Sequence, residues 1–189
     1  MPRRPRIDIA NNYYHCINRA NARLKIFFDD EDYKLFEKTL IEASEIFETR
    51  ILVYCIMPNH FHLVIQTTQD NEVADFMRWL TLTHTQRWHR LHKTTGSGHL
   101  YQGRYKSFVI EDEEHLLTVF RYVERNPIKA NLVRGSLDWK WSSLYKRYSY
   151  KNTFLYKWPI KEPDNYIKDL LIDFSSVELN KIEKYRDNK

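Results

Sequence analysis

Glycine is scarce in this chain, with four in 189 residues, and none of them builds a phosphate-cradling loop. ATP-driven chemistry on such a loop is therefore not indicated. The two cysteines, Cys16 and Cys55, sit in separate apolar stretches without CxxC spacing, which argues against a zinc knuckle or a disulfide framework and predicts two reduced core thiols. No run of eighteen apolar residues exists, and the N-terminus MPRRPRIDIA has charge without the apolar segment of a secretory signal. A soluble cytoplasmic protein with no membrane association is the expectation. There is no internal repeat and no low-complexity tract.

What is present is enough for one core: 42% hydrophobic and 15% aromatic residues predict a single domain with an appendage. A formal charge of +5 and a pI near 9.1 favour polyanionic partners such as nucleic acid. Arg3, Arg4 and Arg6 alternate with Pro2 and Pro5, a pattern that resists helix. A mobile cationic arm and a frayed terminus both fit it.

YYHCIN reads as a strand, followed by a polar loop. Asp29 and Asp30 offer caps to a helix on which Tyr33, Phe36, Leu40, Ala43 and Phe47 share a face. ILVYCIM and HFHLVIQ flank Pro58 and Asn59 as a hairpin. Residues 73–91 have helical spacing, RYKSFVI reads as a fourth strand, and EDEEHLLTVFRYVERN as a third long helix with acidic residues at its positive end. Strand, helix, strand, strand, helix, strand is the ferredoxin-like order, an α+β sandwich on an antiparallel sheet, here with an additional helix. Beyond about Asp138 an aromatic and Lys-rich stretch could dock on the domain or serve nucleic acid, since bases stack on rings and phosphates attract Lys.

Within MPNHFHLVI, strand alternation puts His60 and His62 on one face, about 6.6 Å apart along the strand, with Phe61, Leu63 and Ile65 on the other. Buried imidazoles need water, a hydrogen-bond partner or a metal, and a metal explains the pairing best, although an incidental HxH is the common case. In HLLTVFRYVERNP the apolar stripe is Leu116, Leu117, Phe120 and Val123, while Tyr122 and Asn126 lie one turn apart on another face. Pro127 predicts a helix end or kink at Asn126, freeing its amide oxygen for a metal; Tyr122 reads as a nucleophile or as a half-buried structural tyrosine. His84, His89 and His92 are spread too widely around their helix for joint ligation and read as surface or DNA-facing.

MPNHFHLVI, GHLYQGRYKS, RYVERNPIKANLV and WSS at residues 141–143, together with YYHCINRANARLKIFFDDEDY, resemble the REP-associated tyrosine transposases, a branch of the one-tyrosine HUH transposases. The resemblance covers roughly residues 10–147. It implies an HUH domain at 11–148 whose additional helix carries the nucleophile, which leaves a basic arm at 1–10 and a C-terminal extension at 149–189 outside the resemblance. It further implies His60, His62 and Asn126 as ligands of a divalent metal, Mg²⁺ or Mn²⁺, and Tyr122 as the nucleophile that forms a 5′-phosphotyrosine. The implied partners are single-stranded DNA hairpins formed by palindromic repeats, held by Asn18, Arg19, Arg104, Lys106 and the arm at Arg3, Arg4 and Arg6. A homodimer is compatible with it. The chain departs from the family in having Ala20 where glycine is usual. Two other readings stay open: a non-cleaving DNA-hairpin binding protein of the same fold, and a metal-dependent hydrolase of small molecules.

Overall fold

A computed structural model describes residues 8–151 and 153–184, so Arg3, Arg4 and Arg6 lie outside the described residues. Strand β1 (Tyr13–Arg19) leads through a short 3₁₀ turn at Asn21–Arg23 to α1 (Asp30–Phe47). Strands β2 (Arg50–Met57) and β3 (His60–Gln66) form the hairpin at Pro58 and Asn59; α2 (Glu72–Leu91), β4 (Lys106–Ile110) and α3 (Glu113–Lys129) follow. Three shorter helices complete the chain: α4 (Ser143–Ser149), α5 (Tyr166–Asp169) and α6 (Ser176–Lys184). The sheet is antiparallel throughout, in the order β2-β3-β1-β4, which is the expected ferredoxin-like arrangement.

Pleating divides the sheet residues between two cores. Tyr14, Cys16, Tyr54, Ile56, Phe61, Leu63 and Ile65 pack beneath α1 and α2. Val53, Cys55, Met57, Val64 and Ile110 pack beneath α3, with the C-terminal Trp158, Tyr166, Leu170 and Ile182 in the same cluster. A bulge between Ile51 and Val53 turns both Leu52 and Val53 toward α3. The two cysteines are buried and not joined in a disulfide, as expected.

Helix starts follow their caps. Asp29 accepts from the amides of Glu31 and Asp32, and Asp112 accepts from that of His115 at 2.7 Å. The end of α3 differs from the sequence expectation, because the helix runs through Pro127 to Lys129 and leaves Asn126 inside it. Proline removes the N–H that would bond to the carbonyl of Val123. The Asn126 amide nitrogen donates to the carbonyls of Tyr122 (2.7 Å) and Val123 (3.5 Å), replacing part of that loss.

His84 also differs from expectation, since it is fully buried rather than surface-facing. Its ring lies against Phe27 and Phe36, and its Nδ1 hydrogen-bonds with the Tyr101 hydroxyl at 2.7 Å. Burial, with a smaller contribution from Arg87, lowers its pKa from 6.5 to about 3. A base lowered in this way stays neutral in the folded state and protonates when unfolded, so its stabilising contribution is complete above pH 6.5 and is lost as pH falls toward 3. Thermal melts of wild type and His84→Asn between about pH 7 and pH 4 should therefore show the variant losing less stability on acidification. Parallel pH profiles would contradict this account of His84.

Candidate active site

The face beneath α3 gathers the chemistry. Cross-strand register aligns Cys55, His62, Ile17 and Lys106 in one row across β2, β3, β1 and β4, and aligns Met57, His60 and Arg19 in the next. His60 and His62 therefore point the same way, as alternation requires, with ring centroids 5.1 Å apart. Tyr122, on α3, sets its ring 5.6 Å from His62, edge to face. It is 8% exposed and also meets Phe174 of the C-terminal segment. The ammonium of Lys129 lies 5.9 Å from the Tyr122 ring.

His15 belongs to this group, and the sequence reading missed it. Its Nε2 is 3.0 Å from His62 Nδ1, the two rings stack at 5.2 Å, and Tyr122 is 6.0 Å away. A signal was available: His15 stands two residues from Ile17 in β1, on the face opposite Cys16, and pairing β1 beside β3 brings it to the HxH face. A narrow crevice between His15, Phe108, His115 and Tyr122 opens alongside, with Ile182 at its wall.

The His60 pKa is lowered from 6.5 to about 4, first by burial and then by Arg19, so the ring is neutral at neutral pH. Its Nδ1 lies 2.6 Å from Asn59 Oδ1. Asn126 is 9% exposed, one turn beyond Tyr122. Of the cationic candidates, Arg19 and Lys106 share the histidine face, and Arg104 is exposed in the segment leading into β4. Asn18 pairs with Phe61 on the opposite face, where it is buried and accepts from the Arg19 amide at 2.9 Å. Ala20 has φ −60°, so this backbone has no need of glycine there; the left-handed residues are Ala22 and Arg23.

The position of α3 rests on Glu124, which is fully buried. One oxygen accepts from Ser143 Oγ (2.6 Å) and Arg147 (2.8 Å), the other from Arg147 (3.0 Å) and the Tyr166 hydroxyl (2.8 Å). Ser143 in turn accepts from the Tyr54 amide at 2.9 Å, tying β2 to the same carboxylate. Arg121 and Arg125 clasp the C-terminal segment through the carbonyls of Asp169 and Leu170, an ion pair with Glu178 and another with Asp173.

The antiparallel ferredoxin-like sheet thus sets paired imidazoles beneath a helix-borne tyrosine. The chain belongs to the IS200-like transposase family, whose profile matches residues 8–126 and so takes in His60, His62, Tyr122 and Asn126. It is 25% identical over 120 residues to a Haemophilus influenzae protein assigned as a REP-associated tyrosine transposase, covering 59% of this chain and 68% of that one. The structure of a REP-associated tyrosine transposase bound to a REP hairpin overlays with a TM-score of 0.65 at 15% identity, covering 87% of this chain and 96% of that one. The latter likeness is one of fold. Among the described residues no helix is long and apolar enough to cross a membrane.

Removing a buried charge's partner costs about 3–5 kcal/mol. Glu124→Ala should lower the unfolding free energy by about that much, and Glu124→Ala combined with Arg147→Leu should lose less than the single change. Urea denaturation measures both; a loss under about 1 kcal/mol in the single variant would contradict this role for Glu124.

Proposed function

We propose that the protein cuts and rejoins single-stranded DNA at hairpins of the REP type, with Tyr122 as the attacking nucleophile. The observation that carries this reading is the seating of the Tyr122 ring 5.6 Å from His62, on the sheet face that His62 shares with His60. The phenolic oxygen bonds to phosphorus as the bond to the 3′ oxygen breaks, leaving a 5′-phosphotyrosine and a 3′-hydroxyl. The proton that Tyr122 gives up balances the one the 3′ oxygen gains. Because the covalent linkage retains the phosphodiester's energy, rejoining needs no nucleotide cofactor.

The donor set fits a divalent cation. Among the described residues no three His, Cys, Asp or Glu side chains are grouped to hold a metal, so an ion held by the two imidazoles would need a further donor of another kind. Asn126 would be that donor: its amide nitrogen is committed to the helix carbonyls, and its oxygen is the atom left for a ligand. When bound, Mg²⁺ or Mn²⁺ offsets charge gathering on the phosphate; the two nitrogen donors suit manganese better. Arg19, Lys106 and Arg104 would hold the strand's phosphates.

One observation favours the non-cleaving hairpin binder: Tyr122 is nearly enclosed, with Phe174 and Ile182 beside it. The two readings separate on denaturing gels of hairpin oligonucleotides, taken from repeats flanking the gene and incubated with Mn²⁺ or Mg²⁺. The cutting enzyme gives a metal-dependent covalent protein–DNA adduct that Tyr122→Phe abolishes. Binding without adduct favours the binder, and cleavage that survives in Tyr122→Phe points to a metal-activated water.

Phosphate contact by Lys106 has its own signature. Lys106→Ala should weaken hairpin binding and reduce the slope of log K against log salt by about 0.7, as one lost phosphate contact to a single strand does. An unchanged slope in fluorescence-anisotropy titrations would remove Lys106 from the DNA surface.

A further inference from the structure

Asn59 was legible in the sequence only as half of a turn, yet its side chain joins two groups that matter. The amide nitrogen donates to the Arg23 carbonyl at 3.0 Å, while Oδ1 lies 2.6 Å from His60 Nδ1. A carboxamide has one donor end and one acceptor end. Rotating this one by half a turn would set its oxygen against the Arg23 carbonyl, acceptor facing acceptor, so the orientation is chemically fixed. Oδ1 can only accept, and His60 must therefore carry its proton on Nδ1. In the neutral ring the lone pair then sits on Nε2, the nitrogen left for a metal.

The surroundings hold Asn59 in place. Its carbonyl accepts from the Ala20 amide at 2.8 Å, and that of Pro58 accepts from the Ile26 amide at 2.9 Å, which pins the β2–β3 turn to the segment after β1. The Arg23 carbonyl reaches Asn59 from a turn in which Ala22 (φ 50°) and Arg23 (φ 57°) are both left-handed. Non-glycine residues hold that conformation only where their surroundings enforce it.

We propose that Asn59 is a positioning residue for the metal site, fixing His60 as the Nδ1–H tautomer through its contact with Asn59 Oδ1 and so directing Nε2 to the ion. The proposal rests on the metal reading above, and the test separates the two. In metal-free, ¹⁵N-histidine-labelled protein, long-range ¹H–¹⁵N spectra report the tautomer of His60 directly, with His60→Gln to assign the ring; Mn²⁺ titration of the same samples gives affinity.

Wild type should show Nδ1–H at His60 and bind Mn²⁺. Asn59→Leu, with neither donor nor acceptor, should lose the fixed tautomer and bind about ten- to a hundredfold more weakly. Nε2–H at His60 in the wild type overturns the proposal, as does undiminished Mn²⁺ affinity in Asn59→Leu. Nδ1–H at His60 in a wild type that binds no Mn²⁺ overturns the metal reading instead.

Discussion

A carboxylate with no exposure to solvent leaves a chain little freedom, and Glu124 imposes that constraint here. An unpaired buried charge is among the most destabilising features a fold can contain, so Glu124 must be met by partners wherever α3 is placed. Those partners come from separate stretches: Ser143 and Arg147 on α4, and Tyr166 on α5. Ser143 carries the connection on to β2. In the placement of α3 that meets them, Tyr122, two residues back, stands over His62.

The second determinant is the pleat of the sheet. Because side chains alternate, the strand that buries Phe61, Leu63 and Ile65 under α1 and α2 must send His60 and His62 to the other side. The neighbouring strands obey the same rule, so His15, Arg19 and Lys106 arrive on that side as well. A one-residue slip would exchange every one of them with the core. The register that stabilises the apolar cluster is thus the register that assembles the polar one.

How much of this was legible in the sequence depended on distance along the chain. The hairpin, the histidine face and the strand–helix order follow from local periodicity, and they agree with the structure. Pro127 misled because its local effect on the helix is partly offset by the side chain beside it, Asn126, which reaches the Val123 carbonyl that the proline leaves without its helical donor. His84 misled because its neighbours Phe27 and Tyr101 come from far along the chain, and only the fold shows that they enclose it. His15 escaped notice for a related reason: its place beside His62 depends on which strands pair. Asn18 lies on the face away from the histidines for the same reason that His60 and His62 lie together.

Under the proposed function, β3 and α3 build one centre in which His60 and His62 would hold a cation beside Tyr122. Diffraction data collected at the manganese absorption edge, from crystals of the full-length Tyr122→Phe variant grown with a hairpin oligonucleotide and Mn²⁺, test it most directly. The account predicts a single strong anomalous peak on the α3 side of the sheet, ligated by both His60 and His62 and facing residue 122. A peak elsewhere, or a well-ordered pair of histidines with no peak between them, would contradict it.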